Sequence, residues 1–139
     1  MTAYREAVRL RLKPYRVLAY RMAGQPEGWS AFYCLLWATW VFFMPPEPLV
    51  QHLYATLNRL LTNSQWVGVG LTVGLLQGGA VIRNKRYSRG LMALVAGLFW
   101  AVISRGLYLS DPSAPGAAMY LGNAILNISL CAMLLCPRR

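Results

Sequence analysis

With 139 residues, 57% of them hydrophobic, 13% charged and a formal net charge of +10, the chain is one domain by length and too apolar for an ordinary soluble domain. In a soluble protein that charge would suggest nucleic acid. Here twelve of the fourteen Lys and Arg lie before residue 30, between 83 and 89, or at 138 and 139, so the charge flanks apolar runs and argues against a nucleic-acid partner.

The pattern predicts an all-α integral membrane protein, a single domain with four transmembrane helices. Residues 1–28 form a basic arm. Tyr4, Val8, Leu12, Tyr15, Leu18 and Met22 recur at steps of three and four, while Arg5, Arg9, Lys13 and Arg16 share another face. That spacing predicts an amphipathic helix over residues 2–23 lying on an anionic inner leaflet, where each basic side chain contributes about 1 kcal/mol. Pro14 should kink it. The first 29 residues hold no apolar core suited to a cleavable signal, so the first span is expected to act as its own insertion signal.

Trp29 to Met44 is the predicted first span. Its sixteen residues reach about 24 Å, short of a hydrocarbon core of about 30 Å, so its aromatic ends should sit at the interfaces. Residues 45–65 place Leu49, Leu53, Leu57, Leu60 and Leu61 on one face, predicting a short interfacial helix on the outer surface. Trp66 to Ile82, seventeen residues without a charge, is the second span, and it stops at a basic loop, 83–89, carrying Arg83, Lys85, Arg86 and Arg89. Gly70, Gly74 and Gly78 recur every fourth residue and form a smooth stripe for a neighbouring helix. Gly90 to Leu109 is the third span, with Ala93, Gly97 and Ala101 as a second stripe. Stripes on consecutive spans are expected to meet each other. Residues 110–116 make an outer turn, and Ala117 to Cys136 is the fourth span.

Charge sets the orientation. With the amino terminus cytoplasmic, four crossings bring the 83–89 loop and the carboxyl terminus to the same side, so all twelve clustered basic residues lie inside. The expected location is a bacterial-type inner membrane, with the chain multi-pass, N-in and C-in.

Polar side chains within spans are costly and therefore informative. Thr72, Arg105 and Asn123 fall at similar depth and are expected to form one hydrogen-bonded layer, with Gln77 and Asn127 deeper; Arg105 can also reach outward to Asp111. No Asp or Glu falls within a predicted span, so the intramembrane acid of the small multidrug exporters is missing. His52 is the single histidine, and Cys34, Cys131 and Cys136 sit in or at the end of apolar runs without metal-ligand spacing. No nucleophile and base pair, cofactor motif or phosphate loop is present. The chain is therefore expected to be non-enzymatic. One reading is a small self-associating protein, holin-like, that assembles through its small-residue faces into a pore or lesion. The other is a membrane-embedded accessory subunit or regulator, of the immunity or exclusion type, that docks a membrane-protein partner through the basic arm and the aromatic first span.

Overall fold

The structure, a computed structural model, describes residues 24–44 and 52–136. The predicted basic helix, with Arg5, Arg9, Lys13 and Arg16, lies outside the described residues. Every described element is an α-helix: α1 (Pro26–Phe42), α2 (Ala55–Leu60), α3 (Asn63–Arg83), α4 (Arg86–Ser110) and α5 (Pro115–Leu135). Three of them, α3, α4 and α5, are long and apolar enough to cross a membrane. Their outward residues include Leu75, Leu76, Leu98, Ile125 and Met133, a surface that suits lipid and would aggregate in water.

Local chemistry sets where the helices begin and end. Pro26 opens α1 in its first turn, where the absent N–H costs nothing. A capping box opens α3: the Thr62 hydroxyl accepts from the Gln65 backbone N–H at 3.4 Å, and Gln65 Oε1 accepts from the Thr62 N–H at 2.9 Å. This cap starts the helix at Asn63, three residues before the predicted start of the second span at Trp66. Asn84, with φ of 51°, ends α3 in the left-handed conformation that asparagine tolerates. The basic loop expected over 83–89 thus contracts to Asn84 and Lys85, and Arg86 and Arg89 join the first turn of α4.

Cationic side chains oppose the dipole at a helix start, and both arginines find acceptors elsewhere. Arg86 donates from Nε to Leu134 O and from Nη2 to Met133 O at 3.3 Å, satisfying carbonyls that the end of α5 leaves open. Arg89 reaches Glu27 on α1. The starts of α1 and α4 therefore lie at the same end as the finishes of α3 and α5.

The helices pack as two pairs. Antiparallel α1 and α3 lie along each other, as do α4 and α5, while α3 meets α4 over a smaller area and α1 only brushes α4 and α5. Between the pairs sits an aromatic core. Trp37 of α1 makes edge-to-face contacts with Trp66, Phe99 and Trp100 at centroid distances of 6.2, 5.4 and 6.4 Å, geometry that adds about 0.5–1.5 kcal/mol per pair beyond burial.

The segment before α3 is tied down rather than spread on a surface. Leu57 of α2 is fully buried against Gly106, where a built Cβ would fall 2.6 Å from the leucine Cγ. Trp66 Nε1 donates to Leu57 O at 3.0 Å, and the Thr56 N–H donates to Ser110 Oγ at 3.1 Å. Of the predicted leucine face, Leu49 lies outside the described residues; Leu57 plugs the bundle end, while Leu60 remains 63% exposed.

Candidate functional site

The small-residue stripes are filled from within the chain, and by different partners than expected. A Cβ at Gly70 would meet Ala38 Cβ at 3.0 Å, and one at Gly74 would meet Leu35 Cγ at 2.8 Å and the Ala31 carbonyl at 3.1 Å, so this face receives α1. Gly78 is buried on the same helix. On α4, a Cβ at Gly97 would meet Ile128 Cγ1 at 2.8 Å and Ala124 O at 3.3 Å, so this stripe receives α5. Ala93 is buried and Ala101 half-buried. The two stripes do not face each other. Four-residue spacing shows that a backbone can approach, and it carries no information about whose.

The expected polar layer does not form. Thr72 is exposed, and its hydroxyl donates to Gly68 O of its own helix at 2.8 Å. Arg105 is exposed beside an open depression with Ser104, Tyr108 and Pro112. Asp111 does not take it up: Oδ1 accepts from the Ser113 N–H at 2.9 Å and the Ser113 hydroxyl at 2.6 Å, which holds the carboxyl below its ordinary value. The deeper pair does meet. Gln77 Nε2 donates to Asn127 Oδ1 at 2.9 Å across the two helix pairs, and Asn127 Nδ2 donates to Asn123 O at 2.8 Å. Both amides are fully buried, while Gln77 Oε1 has no donor.

A buried carboxylate escaped the sequence reading. Glu27, assigned to the arm, sits in the first turn of α1 at 1% exposure. Its Oε1 accepts from Arg89 Nη2 at 2.7 Å and Nε at 3.2 Å, and Arg89 Nη1 donates to Asn84 Oδ1 at 3.0 Å. One acidic residue abutting a run of nineteen uncharged residues, 28–46, was the available signal.

Between α1 and α5 an open cleft of about 380 Å³ is lined by Tyr33, Trp37, Trp40, Trp100, Tyr120 and Asn123, together with Leu36 and Met119. Trp100 and Tyr120 stack at 5.1 Å with planes 11° apart. The Trp37 indole N–H is fully buried, with the Tyr54 and Tyr120 hydroxyls beside it and beside each other. Sequence reasoning passed over Trp37 and Trp100, at the centres of their predicted spans, and over Tyr120, which near a span end also reads as an interface anchor. The signal was the buried face Cys34, Trp37, Ala38 and Val41, spaced by three and four.

Among the described residues no three His, Cys, Asp or Glu gather where they could hold a metal ion. Compared with family models, curated proteins and solved structures, the chain matches none.

Proposed function

We propose that the chain is a non-enzymatic protein of a bacterial-type inner membrane, crossing the bilayer four times with both ends cytoplasmic, that serves as an accessory subunit or regulator docked on a membrane-protein partner. The observation that carries this reading is the internal use of the small-residue faces: Gly70, Gly74 and Gly97 are filled by Ala38, Leu35 and Ile128 of the same chain. A self-associating, holin-like assembly built on those stripes would have to empty them first. What remains outward on α1 is aromatic and large, with Trp29, Phe32, Leu36 and Phe42 at least half exposed, a face suited to another helix surface.

Two observations support α1 as the fourth span although it has only 17 residues. It runs along α3, which has the length and apolarity to cross, and its first turn is pinned to the first turn of α4 through Glu27 and Arg89. Arg83, Lys85, Arg86 and Arg89 cluster at the end where α1 and α4 begin, and the positive-inside bias makes that end cytoplasmic.

Purification in mild detergent with mass determination tests the assignment. The expected result is one copy of this chain, alone or with a partner of different mass, and controlled expression that leaves growth unaffected. A homo-oligomer whose expression depolarises cells would establish the holin-like reading instead. Cysteines at Tyr87 and Ser113 test the orientation: an impermeant reagent should reach position 113 and spare 87, and labelling of 87 from outside would invert it.

A further inference from the structure

We infer that the depression between α4 and α5 binds one anionic glycerophospholipid of the outer leaflet, its phosphate on Arg105 and an acyl chain along the apolar floor. The inference rests on α4 and α5 crossing the bilayer with their connection outward, and it does not depend on what the chain docks. The depression, about 460 Å³, is lined by Ala101, Ala117, Ala118 and Leu121, with Tyr108 and Pro112 toward the connection; its volume suits a small-ligand site. Ser104, buried where the two helices meet, already donates to Ala117 O at 2.7 Å, so the floor holds no free hydroxyl that a hydrocarbon chain would strand.

Charge identifies the occupant. Arg105 is exposed, and among the described residues no carboxylate pairs with it: the ion pair there joins Arg89 to Glu27, and Asp111 accepts from Ser113. The start of α5 adds to the positive field, because Ala114 offers no side-chain cap and the first turn carries no acid. Arg105 lies five residues before the end of α4, about 8 Å inside it, so its side chain, extended outward, brings the guanidinium to the headgroup layer. The anion found there is lipid phosphate, which the planar guanidinium fork matches. Headgroup selectivity follows from the lining. Among the described residues no acidic side chain lines the depression, so the ammonium of a zwitterionic lipid finds no counter-charge, and a lipid of net negative charge is preferred.

The test is fluorine NMR of the full, fluorotyrosine-labelled chain in phosphatidylcholine nanodiscs as the phosphatidylglycerol fraction is raised, with the Tyr108 signal assigned by its loss in Tyr108→Phe. A saturating shift of that signal is expected. Arg105→Gln should weaken the response about tenfold or more, the equivalent of one charge-assisted hydrogen bond. Ala118→Leu should weaken it by filling the tail groove, while Arg59→Gln, at the same end of the bundle on α2, should leave it unchanged. A shift that grows in proportion to the anionic fraction, equally in Arg105→Gln, would reflect surface charge alone and overturn the inference. So would an equal response to soluble glycerol phosphate, or a copurified partner that covers position 108 in place of lipid. A chain that binds the lipid as expected yet proves to be a homo-oligomer would leave this inference standing and end the accessory-subunit reading.

Discussion

Two glycines five residues apart on α3 should respond to the same substitution with opposite sign. At Gly74 an added Cβ lies 2.8 Å from both Leu35 Cγ and Cδ2 and 3.1 Å from the Ala31 carbonyl. The leucine tip can rotate aside, but the carbonyl belongs to the α1 backbone, so relief requires the two helices to part. Overpacking of this kind costs about 1–3 kcal/mol, against about 1 kcal/mol gained when alanine replaces a helical glycine. Gly74→Ala should therefore lose up to about 2 kcal/mol of net stability. Gly79 has nothing within 4 Å of a built Cβ, so Gly79→Ala keeps the propensity gain and should stabilise by about 0.5–1 kcal/mol. Reversible unfolding in mixed micelles, followed by circular dichroism as the denaturing detergent fraction rises, measures both. Equal shifts in the two variants would refute the claim that α1 and α3 touch backbone to backbone at Gly74.

Further perturbations separate the polar contacts. Asn127→Leu strips Gln77 of its acceptor, and since Gln77 Oε1 already lacks a donor, a cycle through Gln77→Leu and the double variant should return a coupling of about 1 kcal/mol. Arg89→Gln leaves the Glu27 carboxylate buried and unpaired, a loss of about 3–5 kcal/mol; adding Glu27→Gln should recover part of it in the same unfolding assay. Asp111 titrates below its ordinary 3.8 because Ser113 hydrogen-bonds the carboxylate. A carboxyl depressed on folding adds stability above its unfolded pKa, and that increment fades as pH falls through the folded one. Ser113→Ala should raise the Asp111 pKa toward 3.8, as read by carboxyl-carbon NMR.

The three long helices were legible because a bilayer leaves a long, predominantly apolar run little choice but helix. Their limits were less so. Hydropathy registers where charge begins, whereas α3 starts at its Thr62 and Gln65 cap and α4 absorbs arginines whose acceptors, Leu134 O and Glu27, lie 48 and 62 residues away. Gln77 and Asn127 stood out as intramembrane amides, and their separation by 50 residues hid the bond between them. Thr72 and Arg105 were grouped with Asn123 by depth alone, but depth says nothing of azimuth: both side chains are exposed, Thr72 serving its own helix. Glu27 was assigned to the arm because the first span was read from Trp29, whereas α1 starts at Pro26.

The pairing of α1 with α3 and of α4 with α5 also imposes an order of assembly. Synthesis releases α1 and α3 before either partner of the second pair exists, and their contact through Ala31, Leu35, Ala38, Gly70 and Gly74 needs nothing downstream. The later hairpin closes over its own short connection, residues 111–114, at small loop-closure cost. Joining the halves is then a docking event, in which Trp37 meets Phe99 and Trp100, Gln77 meets Asn127, and Glu27 meets Arg89. A chain interrupted at the Asn84–Lys85 joint and supplied as two fragments should therefore rebuild itself in one membrane.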